Sequence, residues 1–215
     1  MTAKTGLLGG AFNPPHYGHL RPARAAMTAL GLERVVFIPS GLHPFKRQEV
    51  LAPVPDRLEM LRLALADQPG FEVWDIEAMR AEISYTVDTV AAWHRYAPQD
   101  EPVWLIGADI LHELHLWKEW QRILDYTHIC LLARPGFVIQ AANVPAMAFL
   151  ERFRVGCVED LDYQKLGRYG FFTQSACLLD LSSTELRRRL RTGESLHALT
   201  PPSVIDYLQK QCPYT

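Results

Sequence analysis

The chain has 215 residues, of which 48% are hydrophobic and 21% charged, and its formal net charge is −2. These totals are typical of one globular domain with a sizeable core, and they exclude a strongly basic surface that would recruit nucleic acid or an anionic membrane. No apolar run approaches the roughly 20 residues that cross a bilayer, and the amino terminus lacks the features of a signal peptide. We therefore expect a cytoplasmic protein without membrane contacts.

Strand-like and helical segments alternate along the chain. The strand predictions rest on short apolar or alternating runs, and the helix predictions rest on apolar residues spaced three and four apart. The predicted strands are 7–8, 34–40, 71–77, 102–109, 128–136 and 176–183. The predicted helices are 18–30, 56–67, 84–97, 110–125, 183–193 and 200–211. Ser84 and Thr86 are candidates for the cap of the third helix, and Gly193 is expected to end the fifth.

This alternation predicts an α/β fold with a doubly wound parallel sheet and helices on both of its faces. We expect a single domain over residues 1–215, in which residues 183–215 form a small C-terminal helical extension. Ligands of such sheets bind at the carboxyl ends of the strands. Because the chemically distinctive residues of this chain all follow predicted strands, we expect them to converge at one edge of the sheet.

The first distinctive motif is GGAFNPPHYGH, residues 9–19, which joins the first predicted strand to the first predicted helix. Gly9 and Gly10 have no Cβ, so the main chain can turn sharply and a ligand can approach it closely. His16 and His19 lie three residues apart at the entrance of the helix, whose N–H groups and dipole favour an anion. The motif predicts a site for nucleotide phosphates.

The second motif is LSSTELR, residues 181–187, which opens a helix near the other end of the chain. Ser183 and Thr184 are candidates for the helix cap, and their hydroxyl groups could bind the distal phosphates. Arg187 lies one turn later and can pair with the same phosphates through two hydrogen bonds. The two arginines that follow it point elsewhere and are expected to be solvated or in salt bridges. An ordinary capped helix with a basic face is the alternative interpretation.

Together these motifs resemble the HxGH and ISSTxxR signatures of the nucleotidyltransferase superfamily, whose members have Rossmann-like folds. Over nearly its full length the chain is similar to the bacterial nicotinate mononucleotide adenylyltransferase family. Further stretches that carry this resemblance are HPFK at 43–46, SYTVDT at 84–89, IGADILHELHLWKEWQRIL at 106–124 and ARPG at 133–136. The resemblance implies adenylyl transfer from ATP to nicotinate mononucleotide, with Mg²⁺, giving deamido-NAD and pyrophosphate in NAD biosynthesis.

The resemblance also implies roles for individual residues. The expected catalytic residues, which would contact the phosphates of ATP, are His16, His19, Lys46 and Arg187. The expected ATP-binding residues are Gly9, Gly10, Phe12, Gly107, Asp109, Ser183 and Thr184. The expected residues for nicotinate mononucleotide are Tyr85, Thr86, Trp117 and Arg134. Phe45 stands where the family has a histidine, so the role of that histidine is not carried over.

Some of these residues also have purely structural interpretations. Asp109 could cap a helix, Trp117 could be a core aromatic residue, and Arg134 could be an ordinary surface cation. The HELH sequence at 112–115 lacks the i,i+4 histidine spacing of zinc proteases, so no protein-held metal ion is expected there.

Other functions with related chemistry stay open on the sequence alone. The acceptor could instead be nicotinamide mononucleotide or phosphopantetheine, or the reaction could be cytidylyl transfer to an alcohol phosphate. A relative of the class I aminoacyl-tRNA synthetases is disfavoured because the chain has no KMSKS-like segment and is not basic. A nucleotide sensor without activity is disfavoured because the histidines, the lysine and the arginine of the motifs are all present.

Overall fold

The computed structural model describes residues 3–41, 51–133, 145–155, 171–175 and 181–214. Within these ranges the seven α-helices are α1 Tyr17–Ala29, α2 Val54–Leu65, α3 Thr86–Tyr96, α4 Leu111–Leu114, α5 Met147–Leu150, α6 Ser183–Thr192 and α7 Pro202–Gln211. Short 3₁₀ turns add residues 108–110, 120–125 and 151–153. None of the helices in this described part combines the length and apolar character that crossing a bilayer requires.

The strands form one parallel sheet. They are β1 Lys4–Gly10, β2 Arg34–Pro39, β3 Phe71–Val73, β4 Glu101–Gly107, β5 His128–Ala133 and β6 Phe171–Ser175. Among the described residues the order across the sheet is β3-β2-β1-β4-β5-β6, and every neighbouring pair is parallel. Leu7 of the central strand β1 pairs with Val36 of β2 on one side and with Trp104 of β4 on the other. This topology confirms the predicted doubly wound, Rossmann-like sheet.

Apolar side chains cover both faces of the sheet. On one face, Val35 and Leu105 pack with residues of α1, α2, α6 and α7. On the other face, the next residue of β2, Val36, and Trp104 of β4 pack with residues of α3 and α4. Successive strand residues point to opposite faces, which explains why the predicted strands are apolar at every position instead of alternating.

The carboxy-terminal helix α7 packs against α2. Ser203 Oγ donates a hydrogen bond to the carbonyl oxygen of Leu63 at 3.1 Å, and the Tyr207 hydroxyl donates to Asp56 Oδ1 at 2.7 Å. Val204 and Leu208 of α7 are buried in the same apolar cluster as Leu61 of α2. The last helix therefore supports α2, whose amino-terminal turn approaches the candidate site.

Three sequence-based predictions need correction. The last strand among the described residues is Phe171–Ser175, a segment not predicted as a strand. The end of the predicted strand 176–183 is wrong, because Leu181 and Ser182 precede α6 without strand structure and Ser183 begins that helix, whereas 176–180 lie outside the described residues. The predicted helix 110–125 is broken into the short α4 and a 3₁₀ turn, because Glu119 has a left-handed φ of 46°. Neither predicted residue caps α3, since its cap position is Tyr85 and no side chain bonds there.

Candidate active site

The loop after β1 begins where the sheet opens into a crevice. The ladder between β1 and β4 ends at Leu7 and Trp104, although the strands continue to Gly10 and Gly107. A Cβ on Gly10 would stand 3.1 Å from the ring of Phe12, which folds back over the strand end. In doubly wound sheets the ligand crevice lies where the strand order reverses, and here that point is between β1 and β4. Gly9 and Gly10 are the last two residues of β1, and they lie at the edge of this crevice.

Phe12 supports the histidine motif from inside the protein. It has a left-handed φ of 46°, and its ring is buried between Phe37 and His19, with centroid distances of 5.6 and 5.1 Å. Because the ring is buried, a contact between this residue and a nucleotide would come from its main chain. Its side chain instead holds the imidazole of His19 edge-on.

The rings of His16 and His19 lie close together, in a tilted arrangement, at the amino terminus of α1. Their ring centroids lie 3.8 Å apart with an interplanar angle of 31°, and His16 is the cap residue of the helix. The main-chain N–H of His16 donates a hydrogen bond to Nδ1 of His19 at 3.2 Å. A Cβ on Gly18 would stand 2.8 Å from the His16 ring. The glycine between the histidines is thus needed because the first imidazole occupies the space of a side chain there.

A hydrogen bond defines the tautomer of neutral His19, and burial defines the protonation state of His16. Because Nδ1 of His19 accepts a hydrogen bond, neutral His19 carries its proton on Nε2 and can donate it to a ligand. His16 is only 3% exposed, and its Nδ1 has no partner among the described residues. Burial lowers the pKa of His16 from 6.5 to about 4, so this imidazole is neutral at physiological pH.

The amino-terminal turn of α6 lies directly against the histidine loop. Ser183 Oγ donates to the carbonyl oxygen of Pro14 at 2.9 Å, and Arg187 Nη1 donates to that of Asn13 at 2.8 Å. Arg187 Nη2 also reaches Thr184 Oγ1 at 3.2 Å. The structure therefore brings together the two motifs that lie at opposite ends of the chain.

The cap of α6 is Ser182, one residue before the two predicted candidates. Its Oγ accepts a hydrogen bond from the main-chain N–H of Glu185 at 3.2 Å. Ser183 is the first helical residue and uses its hydroxyl to bind Pro14 instead. The correction leaves Ser183 and Thr184 at the helix terminus, where the N–H groups without helical partners attract an anion.

The arginines of α6 differ in whether they form ion pairs with carboxylates in the described structure. Arg188 and Arg189 both form ion pairs with Glu185, and Arg188 also pairs with Glu194, which confirms that they belong to salt bridges. Hydrogen bonds from Arg188 and Arg189 lower the pKa of Glu185 to about 2. Arg187 contacts only neutral oxygen atoms within the described structure. Its positive charge is therefore available to an anionic ligand.

Arg57 is a buried arginine beneath this site that the sequence motifs did not indicate. It is 2% exposed and donates hydrogen bonds to the carbonyl oxygens of Ala11, Ser40 and Ala52. The sequence did contain one indication of its burial. Arg57 lies on the same face of α2 as Leu61 and Ala64, which are both core residues. A charged residue on an apolar helix face indicates a specific buried role.

The residues expected to hold the mononucleotide lie around α3 and the turn after α4. Tyr85 occupies the cap position of α3, and Thr86 is its first helical residue. Tyr85 and Trp117 are both half-buried against the same apolar cluster on this face of the sheet. Lys118 lies over the Tyr85 ring, with Nζ 4.8 Å from the centroid, and pairs with Asp88 at 3.0 Å. The structure thus places an aromatic surface beside the amino terminus of a helix.

The remaining predicted site residues are partly described. Gly107 ends β4, and Asp109 follows it in the 3₁₀ turn at 108–110. Phe45, Lys46 and Arg134 lie outside the described residues.

Comparisons with known proteins agree with this geometry. A family model described as Cytidylyltransferase-like matches residues 7–189. A Geobacter metallireducens protein named "Probable nicotinate-nucleotide adenylyltransferase" is 38% identical over 214 residues, covering 99% of this chain and 98% of its own. A protein of the same name from Klebsiella pneumoniae is 33% identical, covering 98% of this chain and 97% of its own.

A solved structure has the same fold over almost the whole chain. It is described as Plasmodium falciparum nicotinic acid mononucleotide adenylyltransferase complexed with NaAD, and it superposes with a TM-score of 0.70. The match covers 99% of this chain and 97% of the other, at 16% sequence identity. At that identity the likeness supports the fold.

Proposed function

The chain belongs to the cytidylyltransferase-like family, and from that premise we propose that it transfers the adenylyl group of ATP to nicotinate mononucleotide. The products are deamido-NAD and pyrophosphate, and the reaction is a step of NAD biosynthesis. The observation that carries the proposal is the junction of the two motifs, in which Ser183 and Arg187 bond to the loop that ends in His16. The names of the relatives with 33 and 38% identity support nicotinate mononucleotide as the acceptor.

The reaction needs no strong base. An oxygen of the 5′-phosphate of the mononucleotide is already anionic, and it attacks the α-phosphorus of ATP. The bond from that phosphorus to the bridging oxygen of the β-phosphate breaks, and pyrophosphate leaves with the electron pair. The protein has to align two polyanions and offset the charge that moves onto the leaving group.

The site residues have complementary tasks in this step. The Nε2–H of His19 donates a hydrogen bond to the α-phosphate, where negative charge increases in the transition state. His16, which burial keeps neutral, fixes the orientation of His19 through its main-chain N–H. A contact between His16 and a neighbouring phosphate is assigned from its place in the sequence motif. Arg187, Ser183 and Thr184 hold the β- and γ-phosphates at the terminus of α6. Lys46 is assigned to the same phosphates from its place in the sequence motif.

The acceptor side provides stacking and a helix terminus. Trp117 stacks on the pyridine ring, and the N–H groups of the first turn of α3, at Tyr85 and Thr86, receive the ring carboxylate. Gly107 and Asp109 follow β4 at the edge of the crevice and are assigned to the ribose of ATP. Arg134 is assigned to the mononucleotide. An amide in place of the carboxylate would lose the charge that a helix terminus favours, which supports the acid as the substrate.

Mg²⁺ accompanies ATP in this proposal, but the described residues do not fit a protein-held site for it. No three His, Cys, Asp or Glu side chains come together as a metal-binding group in the described part of the chain. The groups at the phosphate loop are imidazole, hydroxyl and guanidinium, whereas Mg²⁺ prefers carboxylate and phosphate oxygens. The ion is therefore assigned to the phosphate oxygens of ATP itself, where it would neutralise charge on pyrophosphate.

The test is a direct assay of the purified chain. ATP, Mg²⁺ and nicotinate mononucleotide are supplied together, and deamido-NAD is measured by chromatography while pyrophosphate is measured by a coupled assay. Parallel reactions contain nicotinamide mononucleotide, phosphopantetheine, or CTP with an alcohol phosphate. We expect the acid mononucleotide to be the preferred acceptor by kcat/KM. Equal or better turnover of another acceptor would identify that compound as the substrate and reject the assignment made here.

A further inference from the structure

The guanidinium group of Arg57 links three separate segments of main chain below the phosphate loop. Its Nη1 donates to the carbonyl oxygens of Ala11 at 3.0 Å and Ser40 at 2.7 Å, and its Nε donates to that of Ala52 at 3.1 Å. Ala11 lies in the histidine loop, Ser40 follows β2, and Ala52 precedes α2. One buried side chain thus sets the spacing between the ends of two strands and the start of a helix.

This network continues to the arginine of α6. The main-chain N–H of Ala52 donates to Asn13 Oδ1 at 2.9 Å, and the carbonyl oxygen of Asn13 accepts the hydrogen bond from Arg187. Arg57, Ala52, Asn13 and Arg187 are therefore connected through successive hydrogen bonds, and all four lie at the carboxyl edge of the sheet. A displacement of Ala52 would be transmitted to the residue that holds the proposed phosphate-binding guanidinium.

The pairing of Arg57 is unusual for a buried cation. Its partners within the described structure are carbonyl oxygens, with no carboxylate among them. Removing a charge from water costs several kcal/mol, and an acidic partner would be the common way to offset that cost. Three carbonyl groups from three segments instead accept hydrogen bonds from Nε and Nη1 without neutralising the charge, so these contacts fix the orientation of the guanidinium group.

We propose, on the basis of the adenylyl transfer inferred above, that Arg57 is a positioning residue for the ATP side of the site. It holds Ala11 and, through Ala52, Asn13 at the separation that aligns the histidine pair with Arg187. A lysine at position 57 would keep the charge, but its donors sit on one nitrogen and cannot match carbonyl oxygens arranged around a planar fork.

The experiment compares Arg57→Lys with two control variants. Arg62→Met removes an exposed arginine of the same helix, whose ion pair with Asp75 is 3.6 Å long. Thr127→Val removes the hydrogen bond from a fully buried hydroxyl to the carbonyl oxygen of Pro102, at the opposite end of the sheet. Thr127→Val is therefore expected to lower the stability of the protein without changing any residue of the candidate site, and it controls for an effect of stability on activity. Melting temperatures are measured first, and kinetics are then recorded well below the lowest of them.

For Arg57→Lys we expect kcat/KM for ATP to fall about 10²-fold, since misplacement of reacting groups by about 1 Å costs a factor of that order. The KM for nicotinate mononucleotide should stay within about twofold, because Arg57 contacts none of the segments assigned to that substrate. Arg62→Met and Thr127→Val should retain the kinetics of the unmodified protein, although Thr127→Val melts at a lower temperature.

Two results would overturn the proposal. One is kinetics for Arg57→Lys equal to those of Thr127→Val, and the other is loss of the fold in both Arg57→Lys and Arg57→Gln, which would make Arg57 a purely structural residue. The unmodified protein is assayed first, so that failure of the proposed function is recognised separately. If it makes no deamido-NAD, the same variants are compared by calorimetric binding of α,β-methylene-ATP, where a loss of affinity confined to the Arg57 variants still supports the inference.

Discussion

Replacing Gly18 by alanine tests whether the helix entrance holds His16 in place. The new Cβ would stand 2.8 Å from two atoms of the His16 ring and 3.2 Å from Cβ of Leu181. Ordinary contacts begin at 3.4 Å, so the imidazole has to retreat by about 0.6 Å. The ring is buried, and its centroid lies 3.8 Å from that of His19, so it cannot retreat without moving its neighbour. We expect kcat/KM to fall by about 10- to 100-fold, in proportion to that displacement.

The effect of Gly18→Ala on stability should be much smaller than its effect on activity. Alanine is favoured over glycine in a helix by about 1 kcal/mol, whereas overpacking a buried position costs about 1–3 kcal/mol. The free energy of unfolding should therefore fall by no more than about 2 kcal/mol, measured by urea denaturation. Thr28→Ala, at an exposed position of the same helix, is the control for helix propensity. Activity of Gly18→Ala close to that of the unmodified protein would refute the contact argument.

Three further predictions address the imidazole and guanidinium groups. His19→Ala should lower kcat by at least about 10²-fold with an unchanged circular dichroism spectrum, as expected for loss of a donor to the transition state; near-normal turnover would remove His19 from the mechanism. Arg187→Met should raise the KM for ATP about tenfold or more, whereas Arg188→Met, which breaks only ion pairs with glutamates, should leave it unchanged; similar values for the two variants would contradict the division of roles. The pKa of His16 is 6.5 in the unfolded chain and about 4 in the folded protein, so between these pH values the unfolded chain binds a proton that the folded protein does not. The free energy of unfolding should therefore fall by up to about 3 kcal/mol as the pH is lowered from 6.5 to 4. Urea titrations should show that the free energy of unfolding of His16→Asn falls less steeply between pH 6.5 and pH 4 than that of the unmodified protein. An equal fall in the two proteins would argue against a buried neutral imidazole.

Most of the sheet could be predicted from the sequence because its central strands are buried on both faces. Continuous apolar runs at 34–40 and 102–109 have few other interpretations in a chain of this length. Strand β6 was missed because, among the described residues, it lies at the edge of the sheet and has β5 as its single neighbour. Edge strands accept polar residues, and Phe171–Ser175 contains Thr173 and Gln174, so the more apolar run that follows it was the stronger signal.

The convergence of the two motifs was predictable, but the contacts that create it were not. Parallel strands end at one edge of the sheet, and this places residues 9–19 near the start of α6. The exact cap could not be read from two adjacent serines, because either hydroxyl can reach the helix N–H groups. Ser182 takes that role and Ser183 binds the carbonyl oxygen of Pro14. The role of Arg57 was not predicted for a related reason. Its partners are main-chain carbonyl groups, which every residue has, so the identities of the partner residues do not reveal these contacts.

The distribution of charge around the crevice explains how a chain with net charge −2 can bind two polyanions. The guanidinium groups of Arg188 and Arg189 are neutralised by Glu185 of α6 and, for Arg188, also by Glu194, which follows the helix. Arg187 and Arg57, which adjoin the histidine loop, have carbonyl and hydroxyl partners within the described structure. Neutral oxygen atoms orient a guanidinium group without cancelling its field, and a field in a partly dehydrated crevice acts more strongly than one at the surface. We therefore expect affinity for phosphate to depend on the cations that have no carboxylate partner in the described structure more than on the total charge of the protein.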